Sequence, residues 1–230
     1  MRGSRRPADR AALRRGVLRP SSRCAAGIAC RLGAGVPPPH WRDWLAAPGS
    51  LTARVRRHGA RFEVRVLDQG DAAWLPGERA ALRPDRPRGA AHAREVALCL
   101  DGVPVVLARS VIDPAVLRGP WQALLGLGTR PLAELLFEDR RMRRSPLSIE
   151  RIGRAGPLRR RIERLARRAG LGRITGLGAG PLWARSSVFE RHGARLRVME
   201  VFLPALLSRS DRAGGRRGGD GPSDIALTLR

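Results

Sequence analysis

Arg94-Glu95-Val96-Ala97-Leu98-Cys99-Leu100-Asp101-Gly102-Val103-Pro104-Val105-Val106-Leu107-Ala108-Arg109-Ser110-Val111-Ile112 is a pair of alternating runs joined by Asp-Gly. Asp-Gly accepts the positive φ angles of a two-residue hairpin turn, so the stretch predicts two antiparallel strands. Period-2 alternation puts Arg94 on the side of Val96, Leu98 and Leu100, and Arg109 in phase with Val105, Leu107 and Val111. A second hairpin is predicted from 182–189 and 196–203 around Arg191-His192-Gly193, and there Glu200 shares a side with Leu196, Val198 and Phe202. Arg and Glu are almost never fully buried unless paired, because dehydrating an isolated charge is costly. Arg94 and Glu200 are therefore either mutual partners in a core or the polar wall of a ligand cavity. Alternation alone leaves both open.

Working outward, Arg61-Phe62-Glu63-Val64-Arg65-Val66-Leu67 reads as a strand with one wet face, and 147–152 as a short strand. Trp41, Trp44 and Leu45 at helical spacing predict a helix over 40–46. Proline at the first position predicts two more at 114–126 and 131–137, separated by Gly128-Thr129-Arg130. The Pro/Arg-rich stretch 76–89 reads as a loop. Residues 157–169 carry Leu158, Ile162, Leu165 and Ala169 on one helical face and arginines around the rest. The glycine-rich flank 170–180 reads as mobile. The fold class is α+β: a single antiparallel sheet with helices inserted between and flanking its hairpins.

The chain has 230 residues, room for one domain with a sizeable core and little more. Residues 1–36 show no sustained periodicity and read as a disordered or loosely helical basic extension. Residues 37–207 form the domain, and 208–230 a flexible Gly/Arg/Asp tail. The net charge of +25 raises the question of nucleic acid, but most of it lies in 1–36, 151–180 and the tail. No lysine is present, so the arginines look like coding bias, and no aromatics interleave with them as a stacking platform. Nucleic acid is therefore not expected as a partner. The basic helix within 157–169 could make a weak peripheral contact with an anionic membrane; more often such a helix packs its apolar stripe on its own domain.

Cys24, Cys30 and Cys99 form no pair or cluster with metal-ligand spacing, and free thiols in a reducing compartment are expected. No apolar run reaches membrane-spanning length, and Arg23 and Arg31 interrupt any signal-like core, so a cytoplasmic location is expected. There is no phosphate-binding glycine loop, no nucleophile elbow and no tyrosine, and His40, His58, His92 and His192 are scattered. What remains for chemistry is the inward charges. The planar fork of an arginine suits a small carboxylate ligand. Arg185, alternating with Trp183 and Phe189, either joins them or snorkels outward.

Eight short motifs then occur in order: Pro48-Gly49-Ser50-Leu51-Thr52-Ala53-Arg54, Arg94-Glu95-Val96, Asp101-Gly102-Val103-Pro104, Ala108-Arg109-Ser110-Val111-Ile112, Gly128-Thr129-Arg130-Pro131-Leu132, Leu135-Leu136-Phe137, Pro181-Leu182-Trp183-Ala184-Arg185-Ser186-Ser187-Val188-Phe189 and Glu200-Val201-Phe202-Leu203-Pro204-Ala205. Together they closely resemble the chorismate lyase family, whose members release pyruvate from chorismate to give 4-hydroxybenzoate for ubiquinone synthesis. The resemblance runs from about Trp41 to Ala205 and leaves 153–180 looking like an insertion. It implies a cofactor-independent monomeric lyase with helical flaps, here 114–137, over a fully enclosed ligand. It also implies a site: Arg94 for the ring carboxylate, Glu200 for the ring hydroxyl, Leu51 and Leu132 through their backbones, and Arg109 as a second arginine, at the enolpyruvyl carboxylate. Glu200 either moves a proton or only orients the substrate while hydrogen passes within it. Two rival classes stand beside this one. The first is a ligand-sensing effector domain of a transcription regulator, a related fold, for which 1–36 offers no winged helix. The second is an arginine-rich nucleic-acid or membrane-surface binder.

Overall fold

The computed structural model describes residues 30–32, 35–82, 89–137, 141–171, 177 and 180–209. In chain order its elements are β1 (Cys30–Leu32), α1 (Pro39–Ala46), α2 (Leu51–Arg56), β2 (Phe62–Ala72), α3 (Glu78–Leu82), β3 (Ala91–Leu100), β4 (Val103–Ile112), α4 (Leu132–Phe137), β5 (Arg143–Arg144), β6 (Leu147–Ile152), α5 (Pro157–Arg168), β7 (Leu182–Arg191) and β8 (Ala194–Phe202). The strands form one sheet in the order β1-β6-β7-β8-β4-β3-β2, with β5 also pairing β7. Both predicted hairpins are present. Asp101 and Gly102 turn β3 into β4 with φ of 48° and 77°, and His192 and Gly193 turn β7 into β8 with the same pair of values. Positive φ at both central residues matches the right-handed twist of the strands they join.

The sheet is antiparallel except at its edge. Cys30–Leu32, expected to be irregular, pairs in parallel with β6. The expected tail boundary at 208 falls inside a last helical turn, 205–209, where Arg209 reaches Asp101 at 2.6 Å. Residues 1–29 and 210–230, and most of the glycine-rich 170–180 stretch, lie outside the described residues. The helix expected over 114–126 is instead two 3-10 turns, Pro114–Val116 and Gln122–Leu124. Pro120, which has no N–H to donate and cannot continue a helix, falls between the two turns, and Trp121 beside it is wholly buried. Ser50 caps α2 by accepting from the Ala53 N–H at 3.2 Å, and neither α2 nor α3 was expected.

Both faces of this sheet are covered, and that positions the site. Every residue of β3 is buried. One face packs Val96, Leu98 and Val106 against Trp41, Trp44, Leu45, Leu51 and Val55 of α1 and α2. The other packs Ala97, Cys99, Leu107 and Met199 against Ile162, Leu165 and Ala166 of α5. A third cluster gathers Trp121, Leu124, Leu127 and Leu136 of the 114–137 segment onto Ile112, Leu196 and Val198. Among the described residues no helix is long and apolar enough to cross a membrane.

Candidate active site

Register sorts the inward charges into two faces. Arg94, Ser110, Val198 and Ser187 form one cross-strand row over β3, β4, β8 and β7, and Val96, Ala108, Glu200 and Arg185 form the next row on the same face. The row between them points the other way and holds Glu95, Arg109, Met199 and Ser186. Arg94 and Glu200 therefore share a face, two strands and two residues apart, or roughly 12 Å between Cα positions. Arg109 belongs to the opposite face.

On the first face lies a cavity with about 50 Å³ of room for the centres of water molecules. Leu51 and Thr52 of α2, Leu132 and Leu136 of α4, and Arg94, Arg144, Arg185 and Glu200 help to line it. Four of the five expected site residues, Leu51, Arg94, Leu132 and Glu200, thus come together. Leu51 and Leu132 each begin a helix, where backbone N–H groups have no partner within the helix. Each is delivered to the cavity by a preceding glycine-containing turn, at Gly49 and Gly128, whose φ values are 70° and 55°.

Arg94 is 1% exposed and has no acidic partner among the described residues. Its Nη2 donates to the carbonyls of Gly128, at 2.7 Å, and Arg130, at 3.2 Å, while its buried Nε has no hydrogen-bond partner. Burial lowers its pKa from the usual arginine value. Glu200 instead accepts from Arg185 Nε at 2.6 Å, and Arg185 Nη1 donates to the carbonyls of Trp44 and Ala47. The question left by alternation is answered by partner: Glu200 pairs with Arg185, its neighbour across β7 and β8, and Arg94 is held by backbone oxygens.

Arg144 was not among the expected residues. It sits on β5, donates from Nε to Ser187 Oγ and from Nη1 to the Gly49 carbonyl, both at 3.1 Å, and stacks over Phe189. Burial lowers its pKa, with the Arg185 charge acting in the same direction and Glu200 against it. Its strand is only two residues long and has no apolar alternation to flag it. Three guanidinium groups against one carboxylate leave the cavity lining two positive charges in excess.

Arg109 is a correction to the expected site. Its Nε and Nη2 donate to both oxygens of Glu78, at 2.7 and 3.1 Å, and its Nη1 donates to Glu95 at 2.8 Å. Both glutamates are fully buried. Burial works against the Arg109 charge, but hydrogen bonds to the two carboxylates raise its pKa above the usual value. Arg161 of α5 bonds both oxygens of Glu95 and also Asp68. Arg109 is thus enclosed in an ionic cluster behind the sheet, and its phase with Leu107 and Val111 reported burial under α5 and α3, not entry into the cavity. Among the described residues no group of three His, Cys, Asp or Glu side chains is placed to hold a metal ion.

Fold and site together define an α+β domain with a small cavity, its lining in positive excess, between one sheet face and two helix starts. The family model described as chorismate lyase matches residues 34–212. A protein of Azoarcus sp. named probable chorismate pyruvate-lyase is 48% identical over 171 residues, covering 74% of this chain and 87% of that protein. A protein of the same name from Cupriavidus metallidurans is 40% identical over 185 residues, covering 78% and 82%. The chain belongs to the chorismate lyase family and is a lyase. Solved structures similar to it include the C-terminal domain of histidine utilization repressor from Pseudomonas syringae pv. tomato, with a TM-score of 0.44 at 12% identity over 63% of this chain and 93% of that one. PhnF from Mycobacterium smegmatis has a TM-score of 0.47 at 16% identity, over 69% and 65%.

Proposed function

We propose that this chain eliminates pyruvate from chorismate and leaves 4-hydroxybenzoate, the aromatic precursor of ubiquinone. The observation that carries this reading is the placement of Arg94 and Glu200 on one cavity face, apart from each other and held by different partners. Chorismate is a dianion, and the lining has two positive charges in excess to receive it. Arg94 takes the ring carboxylate through its unpartnered Nε edge, and backbone N–H groups at Leu51 and Leu132, which also line the cavity, add donors to the bound substrate. Glu200, oriented by Arg185, accepts from the ring hydroxyl at the other end.

The chemistry asks little more of the protein than orientation in a dry cavity. The bond between the ring carbon and the enolpyruvyl oxygen breaks. The hydrogen on the adjacent hydroxyl-bearing carbon leaves with it, and the ring becomes aromatic. Enolpyruvate plus that hydrogen is the enol of pyruvate, which ketonises, so atoms balance and no electron acceptor is consumed.

Arg94→Ala removes the only guanidinium in the row that faces the flap carbonyls. Calorimetric titration with 4-hydroxybenzoate is expected to show affinity weakened by about 100-fold or more, the scale for losing one member of a buried charge pair. Undiminished affinity in a folded variant would remove Arg94 from the site.

A further inference from the structure

The loss of Arg109 to the back of the sheet leaves the second carboxylate of chorismate without the arginine that the family resemblance gave it. Three arginines line the cavity, and they are not equivalent. Arg185 is neutralised by Glu200 at 2.6 Å and tied by two further carbonyls. Arg94 and Arg144 have no acidic partner among the described residues. Two uncompensated guanidinium groups thus face a substrate with two carboxylates. We propose that Arg144 binds the enolpyruvyl carboxylate and is the residue by which the site distinguishes substrate from product. This rests on the chorismate reading above and deepens it.

Geometry assigns the ends. Ser187, to which Arg144 Nε is bonded, stands three strands from Arg94 in the same cross-strand row, so Arg94 and Arg144 flank the cavity from opposite sides. Arg144 lies close enough to Arg185 and Glu200 to feel both charges. In chorismate the enolpyruvyl ether is on the carbon next to the hydroxyl-bearing one. A ring with its carboxylate on Arg94 and its hydroxyl on Glu200 therefore projects the enolpyruvyl arm near the Glu200 end, toward Arg144. There Nη2 has no hydrogen-bond partner among the described residues, and Nη1 has donated only to Gly49. The outer edge of the guanidinium is thus available for a two-pronged contact with a carboxylate. Contacts to Ser187, Gly49 and the Phe189 ring hold the fork in place before substrate arrives.

The product lacks the enolpyruvyl arm, and that gives the test. In Arg144→Met the KM for chorismate is expected to rise by about 30-fold or more, while the Kd for 4-hydroxybenzoate changes by less than about 3-fold. Arg144→Lys should recover part of the loss, because a point charge remains without the fork. Equal weakening toward chorismate and 4-hydroxybenzoate would mean that Arg144 only braces the 49–51 turn, and unchanged values for both would remove it from the site; either overturns the proposal. A second measurement uses the unaltered chain: an aromatic benzoate carrying a carboxyvinyloxy arm should bind at least about 10-fold tighter than the methyl ester of that arm, and equal affinities would contradict the assignment. Failure of the chorismate reading itself would look different, since the unaltered chain would then turn over no chorismate and bind neither ligand.

Discussion

At the scale of single residues, the question posed by the sequence was what an inward charge is for. Three answers occur on three neighbouring strands, β3, β4 and β8. Arg94 faces a cavity and is held by carbonyls, Glu200 faces the same cavity and is held by Arg185, and Arg109 lies in an ionic cluster on the other side. Period-2 alternation identified all three as inward. It could not say which inside, because a sheet covered on both faces has two. The signal for that was present: Val96 to Leu100 is continuously apolar, as in a strand buried on both sides, and Glu95 in its company is wholly buried. Arg144 was illegible for a different reason, since two residues of strand carry no period. For Glu200→Gln the expectation is loss of turnover with partial retention of 4-hydroxybenzoate binding, because a neutral amide still meets the hydroxyl but no longer neutralises Arg185. Single-turnover kinetics beside equilibrium titration separates the two effects. Retained turnover would leave Glu200 with no more than a packing role.

At the scale of elements, the 114–137 segment is the part that could seal a ligand in. It lies on the sheet through Trp121, Leu124 and Leu136, and its Gly128 and Arg130 carbonyls accept from Arg94. Arg94 is thus both a ligand group and the latch of that segment. Product release is expected to limit turnover, visible as a pre-steady-state burst followed by a slower steady rate. Trp121→Ala, which empties the centre of the third cluster, should cost about 3–5 kcal/mol and abolish the burst by loosening the cover. A burst of unchanged size in that variant would argue that the segment does not gate release. The sequence showed this segment's boundaries through its prolines and glycines but not how it docks, since Trp121 packs against Ile112, Leu196 and Val198 of distant strands.

At the scale of the whole molecule, α5 and α3 are tied to the back of the sheet by Arg109, Glu78, Glu95, Arg161 and Asp68. Breaking one partner of such a buried cluster leaves the others uncompensated, so Arg109→Met should lose about 3–5 kcal/mol of stability in chemical denaturation. Burial pushes the Asp68 carboxyl up, but hydrogen bonds from Arg161 and Arg168 and their charges hold it below the usual 3.8. A depressed carboxylate contributes stability that is full above its unfolded value and is lost as pH falls through the folded one. Asp68→Asn should therefore flatten the fall of Tm below about pH 4, and an unchanged slope would detach Asp68 from the docking of α5. The central claim is tested most directly by mixing the purified chain with chorismate and following 4-hydroxybenzoate and pyruvate together. The account predicts equal amounts of both, with the Arg94→Ala variant silent; no pyruvate from the unaltered chain, or the 3-hydroxy isomer in place of 4-hydroxybenzoate, would contradict it.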